Sequence, residues 1–307
     1  MEIIIATYLR DDEELSASFL NFIDLLTQLK YQPILCVFTS HEFLCTAKCP
    51  IVTYMDEGRT KYARIQTLIH QYSNHIILSI DNDITINNKD LLKLIEDFSR
   101  SKACIAWGQI GVSNNGFFPS LVCIDKIVSH QIIRPVLWKL HIGISVPGQC
   151  FLFRSAKYLN VLPASDTFLD DLQIGLITNL KKFDILIKKN VIGNEKAKTS
   201  FVDLLKQRKR WASGYSAVLC SSRHLTYKAL SLVLIHGFSY HAILPLIILI
   251  LLLTFPICPI SNVIIYTCLC IIVSKLKFKL LLSSFAYPLI FTILHFYWLF
   301  HVIKTFL

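Results

Sequence analysis

The run over residues 229–255 constrains this chain more than any other feature, because it contains no charged residue. An apolar run of that length can cross the hydrocarbon core of a bilayer as one helix. Two further apolar runs, over 261–274 and 280–303, have the same character. The sequence therefore predicts about three transmembrane helices in a membrane domain at 229–307.

Charge is distributed unevenly along the chain. After Asp203 there is no acidic residue but there are ten Lys or Arg, so the formal net charge of +10 lies in the C-terminal third. These charges flank apolar segments, which favours membrane lipids over nucleic acid as the partner. Lys275, Lys277 and Lys279 separate the last two spans and should face the cytosol. We expect a multi-pass protein of the cell membrane with a cytosolic N-terminal domain.

Short apolar strands alternate with helical patterns in the N-terminal half. This alternation predicts an α/β domain with a mostly parallel sheet, whose ligands bind beyond the carboxyl ends of the strands. The loops after Thr7, Phe38 and Ile80 are therefore candidate binding loops. The predicted strands are 2–7, 33–38, 51–55 and 75–80, and the predicted helices are 13–29 and 59–73.

The pattern is less regular over 104–200, where CIAWGQI, SLVCI and QCFLF are the strand candidates. Residues 206–228 then mix basic and aromatic side chains, as interfacial helices do. We predict a catalytic domain over 1–205, an interfacial segment over 206–228 and the membrane domain over 229–307.

Asp81-Asn82-Asp83 follows the buried strand HIILSI directly. Two carboxylates at i and i+2 can converge on Mg²⁺ or Mn²⁺, which is typically held by a few carboxylates together with substrate phosphates. A polar turn that ends a strand is the alternative interpretation.

A second acidic pair, Asp170-Asp171, begins a predicted helix in FLDDLQIGL. These residues could serve as an N-cap and a first-turn acid stabilised by the helix dipole. Alternatively, one of them could be the general base that takes a proton from an attacking hydroxyl.

The sequence QRKRW precedes the membrane region. Gln207, Arg210 and Trp211 share one helical face and offer an amide, a fixed cation for phosphate and a ring on which a sugar can stack. Arg208 and Lys209 are predicted to form a solvated basic face at the bilayer.

In order and spacing, these motifs resemble the membrane-embedded family 2 glycosyltransferases, the group of cellulose, chitin and hyaluronan synthases and ceramide glucosyltransferase. The resemblance rests on IIIATYLRDDEE, the helix with Lys61 and Ala63 that leads to IDND, GQCFLFRS, LDDLQIGL and QRKRW, followed by apolar spans. It implies a GT-A-type nucleotide-sugar-binding domain, a nucleotide sugar donor and a divalent metal.

The resemblance also implies roles for individual residues. Asp171 would be the catalytic base, and residues 148–151 would form part of the acceptor floor. Asp81 and Asp83 would hold the metal, Mg²⁺ or Mn²⁺. The residues expected to bind the donor are Thr7, Lys61, Asp81, Asp83, Gln207, Arg210 and Trp211.

One position departs from the family pattern. The family usually ends its second strand with an Asp that contacts the nucleoside, whereas this strand ends in Thr39 and Ser40. The expected function is inverting, metal-dependent transfer of a hexose, with UDP as the expected carrier, to a glycan or lipid-linked acceptor. A nucleotidyltransferase and a catalytically degenerate membrane scaffold are the alternatives.

Overall fold

The computed structural model describes residues 2–10, 13–29, 31–41, 47–55, 60–112, 116–164, 166–224, 226–274 and 278–306. The chain divides into two compact units. The sheet unit consists of Met1–Gly111 and Val146–Lys196, and the helical unit of Val112–Ser145 and Ala197–Leu307. The predicted orientation in the membrane rests on Lys275, Lys277 and Lys279 and on the basic residues before the first span, and of these Lys275 and Lys277 lie outside the described residues.

Most predicted strands and helices of the N-terminal half are present. The strands are β1 (Glu2–Tyr8), β2 (Gln32–Thr39), β3 (Ile51–Met55), β4 (Ile76–Ile80), β5 (Ile84–Ile86), β6 (Ile105–Val112), β7 (Cys150–Arg154) and β8 (Ile185–Glu195). The helices are α1 (Ala17–Gln28), α2 (Lys61–Gln71), α3 (Asn88–Arg100), α4 (Phe117–Ile127), α5 (Arg134–Lys139), α6 (Ser155–Tyr158), α7 (Asp170–Leu180), α8 (Phe201–Arg223), α9 (Tyr227–His241), α10 (Ile243–Thr254), α11 (Pro259–Ser274) and α12 (Phe278–Phe306).

The strands form one eight-stranded sheet in the order β3-β2-β1-β4-β7-β6-β8-β5. β3, β2, β1 and β4 are parallel neighbours, whereas β7 runs antiparallel to both β4 and β6, and β5 runs antiparallel to β8. The sheet is therefore mixed, and the expectation of a mostly parallel sheet was wrong for its second half. The chain between β6 and β7 passes through the helical unit, so proximity in sequence does not fix the direction in which β7 pairs with β4 and β6.

The core of the sheet unit explains why β1 and β4 form. Both are runs of β-branched and apolar residues that are buried along nearly their whole length. Alternate residues of β1, such as Ile3 and Ile5, join Phe19 and Phe22 of α1 in one hydrophobic cluster. Burial on both faces fixes these central strands, so the loops at their carboxyl ends have a rigid support.

The helical unit is held together by the packing of α12 against α4 and α8. Leu121 and Ile124 of α4 share a buried cluster with Phe291 and Leu294 of α12. The stretch SLVCI lies inside α4, so its prediction as a strand was wrong. A short apolar run does not distinguish a strand from a buried helix, and here the partner on α12 is far away in sequence.

Among the described residues, one helix, Leu280–Thr305, is long and apolar enough to cross a membrane. The helices Tyr227–His241 and Ile243–Thr254 pass the same test only together, and they meet at a bend of 50°. Pro259–Ser274 is apolar but shorter. By length and composition, one of the three predicted spans passes this test as a single helix, a second passes only as a bent pair, and the third is shorter than the test requires.

Candidate active site

A small cleft lies at the carboxyl ends of β1, β2 and β4 in the sheet unit. Residues at or next to the carboxyl ends of all three strands line it, together with side chains from the first turns of α2. The lining residues used below are Thr7, Tyr8, Phe38, Lys61, Arg64 and Asp81. The expectation that ligands bind at this edge of the sheet therefore agrees with where the structure has its cleft.

Lys61 occupies the centre of this edge. Thr60 caps α2 by accepting a hydrogen bond from the Ala63 amide, which places Lys61 in the first turn. The Lys61 ammonium donates to Asp81 Oδ1 at 2.7 Å and to the Gly148 carbonyl. Burial lowers the pKa of Lys61, but the carboxylates of Asp81, Asp170 and Asp171 raise it more, so the net pKa lies well above its ordinary value.

The three residues of the Asp-Asn-Asp turn have different surroundings. Asp81 pairs with Lys61, and its amide donates to the Gln149 carbonyl at 2.9 Å. Asn82 accepts from the Ser16 amide and donates to the Glu14 carbonyl, so it attaches the chain after β1 to the end of β4. Asp83 is exposed. The turn therefore combines a structural amide with two carboxylates of different exposure.

Asp170 and Asp171 lie in the first turn of α7, where neither residue is the N-cap. Leu169 holds that position and provides no side-chain cap. Asp170 is 6% exposed, and its Oδ2 has no hydrogen-bond partner among the described residues. Burial raises the pKa of Asp170 to about 7, with Lys61 opposing this shift and Asp171 and Asp81 adding to it.

Asp171 is less buried than Asp170 and lies against Gly148. Its Oδ1 accepts a hydrogen bond from the Leu172 amide at 2.9 Å. A Cβ added at Gly148 would come within 3.1 Å of Asp171 Oδ2, so the absence of a side chain there lets the backbone approach the carboxylate. Because the Gly148 carbonyl also accepts from Lys61, contacts connect Asp81, Lys61, Gly148 and Asp171 in series.

The cluster carries more negative than positive charge. Three carboxylates, those of Asp81, Asp170 and Asp171, interact with the single ammonium of Lys61. Among the described residues, no three His, Cys, Asp or Glu side chains converge closely enough to hold a metal ion by themselves. Asp81 and exposed Asp83 nevertheless provide the carboxylate oxygens that Mg²⁺ or Mn²⁺ takes when diphosphate oxygens complete its shell, so the residues fit such an ion.

Aromatic and basic side chains that were not predicted from the sequence form the other wall of the cleft. The Arg64 guanidinium lies 3.6 Å from the centroid of the Tyr8 ring, and Phe38 stacks on Tyr54 at 4.6 Å. The buried Thr7 hydroxyl has no hydrogen-bond partner among the described residues. The role of Arg64 could have been predicted from helical spacing, because Arg64 follows Lys61 by three residues and so shares its face of α2.

Thr39, at the position where the family usually has an Asp, points away from solvent. It is fully buried, and its hydroxyl lies 2.9 Å from His41 Nδ1. This pairing holds the Thr39 hydroxyl at the end of β2.

The residues of the QRKRW motif lie on α8 in the helical unit. Gln207 and Trp211 are half-buried and Arg210 is exposed. Arg208 is 2% exposed, so its prediction as part of a solvated face was wrong. Its guanidinium pairs with Asp125 at 3.1 Å, and the same carboxylate accepts from the Tyr287 hydroxyl.

Arg208 also contacts two rings. Its guanidinium lies 4.4 Å from the Trp211 ring centroid and 5.3 Å from that of Phe291. The structure thus places the predicted site residues in two groups, one in each unit. Thr7, Lys61, Asp81, Asp83 and Asp171 belong to the sheet unit, and Gln207, Arg210 and Trp211 belong to the helical unit.

Solved structures with a related chain trace are remote in sequence. Glucosyl-3-phosphoglycerate synthase from Mycobacterium tuberculosis with phosphoglyceric acid is 13% identical, with 70% of this chain and 79% of that chain covered and a TM-score of 0.47. The same enzyme with Mg²⁺ and uridine diphosphate is also 13% identical, with 70% of this chain and 78% of that chain covered and a TM-score of 0.47. A mycobacterial protein is 14% identical, with 70% of this chain and 74% of that chain covered and a TM-score of 0.48. No curated protein sequence matches significantly.

The family model described as glycosyl transferase family group 2 matches residues 76–306. This range begins at β4 and ends in α12, so it contains Asp81, Asp83, Asp171 and the QRKRW motif. It covers well over half of the chain. On this match, the chain belongs to glycosyl transferase family group 2 and is a glycosyltransferase.

Proposed function

We propose that this glycosyltransferase moves a hexose from a nucleotide sugar, with UDP as the expected carrier, to a polysaccharide or lipid-linked acceptor. The transfer inverts the configuration at the anomeric carbon and takes place at the cytosolic face of the cell membrane. The observation that carries the proposal is the acidic cluster around Lys61, because it joins Asp81 to Asp171 at the cleft and has an excess of negative charge.

The donor diphosphate is assigned to the mouth of the cleft. Asp81 and Asp83 would hold Mg²⁺ or Mn²⁺, which when bound neutralises the charge of the leaving nucleoside diphosphate. Lys61 keeps its proton because of the surrounding carboxylates, so it supplies a second cation beside the phosphates. The unpartnered Thr7 hydroxyl and the Tyr8 ring with Arg64 would receive the nucleoside part.

Asp171 is the proposed base. It is the less buried acid of the pair, so it can reach an acceptor hydroxyl, whereas burial favours the protonated form of Asp170. In this proposal Asp171 takes the proton of the acceptor hydroxyl as that oxygen attacks the anomeric carbon. Gln207, Arg210 and Trp211 are assigned to the diphosphate and the acceptor sugar.

The membrane assignment rests on the helical unit. Leu280–Thr305 could span a bilayer, and many large apolar side chains of α10, α11 and α12 are exposed. We propose that 1–205 forms the cytosolic catalytic domain, that 206–228 lies at the interface and that 229–307 is embedded. This arrangement corresponds to the membrane-embedded members of the family. Since the chain belongs to a glycosyltransferase family, no observation favours the nucleotidyltransferase or scaffold alternatives.

One assay tests the proposal directly. Membranes that contain the protein are incubated with a panel of labelled nucleotide sugars and Mg²⁺ or Mn²⁺, and lipid-extractable products are separated from polymeric ones. Membranes with the Asp171→Asn variant are the matched control. We expect label from one donor in one product class with the wild-type protein only. Equal incorporation by the variant, or none from any donor with the folded wild-type protein, would contradict the proposal.

A further inference from the structure

A helix in the helical unit presents an apolar stripe to the outside. A π-helical segment, Val128–Ile133, continues directly into α5. Ile132, Val136 and Leu140 follow each other at intervals of four residues and are 38%, 51% and 59% exposed. Residues at this spacing lie on one side of a helix. The chain over 128–140, which we call the insert helix, is therefore amphipathic, with its apolar stripe uncovered.

The opposite side of the insert helix is fixed by buried contacts. Arg134 and Trp138 are 8% and 6% exposed, and both are held by the chain that follows the helix. The Arg134 guanidinium donates to the Ser145 hydroxyl at 3.1 Å, and the Trp138 indole donates to the Ser145 carbonyl at 2.8 Å. A Cβ at Gly143 would come within 2.6 Å of the Trp138 ring. These contacts determine which side of the insert helix is turned outwards.

The charge of the helical unit indicates what could cover the stripe. This unit contains 14 Lys or Arg residues and two Asp, which leaves 17 basic and 19 acidic residues in the sheet unit. Both acids are engaged, since Asp125 pairs with Arg208 and Asp203 bonds with Ser200 at the start of α8. Exposed Lys139 follows Ile132 by seven residues, which places a cation along the same stripe.

An anionic surface that also accepts apolar side chains matches this combination. A second copy of the chain would bring two strongly basic units together, and their repulsion disfavours such a contact. Interfacial helices insert an apolar side into the boundary between headgroups and acyl chains and place basic residues beside anionic headgroups. Continuity supports the same partner, because the insert helix packs on α9 within the unit that contains the apolar helices.

We propose that the insert helix lies on the surface of an anionic lipid bilayer, with Ile132, Val136 and Leu140 in the boundary layer and Lys139 at the headgroups. This inference rests on the membrane association given under the proposed function. It adds a second membrane contact from a segment that lies between β6 and β7, far from the C-terminal helices in sequence.

The test uses a photo-crosslinking amino acid in the full-length protein. It is placed singly at Val136, at Phe300 of α12 as the membrane reference and at exposed Lys89 of α3 as the water-exposed reference. The proteins are reconstituted in vesicles that contain phosphatidylglycerol and a clickable phospholipid, and lipid adducts are quantified after illumination. We expect adducts at Val136 at a level comparable with Phe300, and few at Lys89.

The outcomes separate this inference from the membrane proposal. Adducts at Phe300 but not at Val136 would overturn the insert-helix contact alone, and an absence of adducts at both positions would overturn membrane association as well. A protein–protein adduct of twice the mass at Val136 would identify a second copy as the occupant and also overturn the inference. In vesicles of phosphatidylcholine alone, the Val136 adduct should decrease while the Phe300 adduct is unchanged. An unchanged Val136 adduct would contradict the role of anionic headgroups.

Discussion

Each unit holds a cation against carboxylates, half-buried Lys61 in the sheet unit and buried Arg208 in the helical unit, but the charge balance around the two cations differs. In the sheet unit, Lys61 interacts with three carboxylates, and Asp170 keeps an oxygen without a hydrogen-bond partner among the described residues. In the helical unit, Arg208 has one carboxylate partner, Asp125, which also accepts from Tyr287. The first group carries excess negative charge beside a cleft, whereas the second is electrically balanced.

This difference separates the proposed binding site from a structural contact. Excess buried charge is unfavourable unless another group compensates it, so the Lys61 cluster is suited to a cation or a cationic complex. The Arg208 pair is balanced in charge, although the Arg208 Nε also has no hydrogen-bond partner among the described residues, and the pair joins α8 to α4 and α12. Substitutions in the two groups should therefore affect different properties.

The largest effect is expected for Asp171→Asn. The fold and donor binding should persist, because Asn can also accept the hydrogen bond from the Leu172 amide. Turnover should decrease by roughly 10²- to 10⁴-fold if Asp171 is the base. Product formation by the purified, folded variant measures this. Near-normal turnover would remove Asp171 from the mechanism and leave the sheet-unit cluster without a catalytic member.

Asp125→Asn should act on stability. It leaves Arg208 buried without a counter-charge, which costs about 3–5 kcal/mol in comparable buried pairs. The double variant Asp125→Asn/Arg208→Gln should lose less than the sum of the single variants, because no unpaired charge remains. Thermal unfolding in detergent measures this, with exposed Lys209→Gln as the control at about ±0.5 kcal/mol. Additive losses would show that the two residues do not form a coupled pair.

Asp170→Asn should change how stability depends on pH. Because the folded pKa of Asp170 is raised from 3.8 to about 7, its contribution is present at low pH and is lost as the pH rises through about 7. The Asn variant should therefore gain stability relative to wild type as the pH rises from about 4 to about 7, by at most about 4 kcal/mol. Unfolding is followed with a chelator present.

The control for this prediction has the opposite sign. Lys188 donates to Asp97 and lowers the pKa of that carboxyl, so its contribution is present above the ordinary pKa and is lost as the pH falls. Asp97→Asn should therefore be destabilising at neutral pH and nearly neutral in acid. If Asp170→Asn behaved in the same way as Asp97→Asn, the folded protein would stabilise the ionised form of Asp170, and the raised pKa of this buried acid would be wrong.

The smallest effect is expected for Gly148→Ala. The added Cβ would lie 3.1 Å from Asp171 Oδ2, so the carboxylate must shift by a few tenths of an ångström. Positioning errors of that size should reduce turnover by about tenfold or less while donor affinity changes little. A kcat measured at saturating donor tests this. Unchanged kcat would indicate that the close approach of Gly148 has no influence on Asp171.

Local patterns were sufficient for the first half of the sheet unit. The buried strands β1 and β4 could be predicted because their β-branched runs end in polar loops. The position of the cleft could be predicted because ligands bind beyond the carboxyl ends of parallel strands. The direction of β7 could not be predicted from the sequence, because it depends on pairing with β4, which is more than sixty residues earlier in the chain.

The motifs could be identified in the sequence, but the roles of the individual residues within them could not. Asn82 appears between two acids as one of three similar residues, yet its contacts with Ser16 and Glu14 make it structural. Arg208 looked solvated because its neighbours are basic, and its partner Asp125 lies 83 residues away. Such roles depend on long-range contacts, which no local pattern encodes. The roles predicted for the site residues remain predictions.

Nucleotide binding to the purified full-length protein tests the central claim most directly. Calorimetric titrations with UDP, and with other nucleoside diphosphates, are compared with and without Mn²⁺ for wild type, Asp83→Asn and Asp125→Asn. We predict that wild-type binding depends on Mn²⁺, that Asp83→Asn loses this dependence because a metal carboxylate is missing, and that folded Asp125→Asn retains it. Equal affinity of wild type and Asp83→Asn, with and without Mn²⁺, would contradict the assignment of the acidic cluster as the donor site.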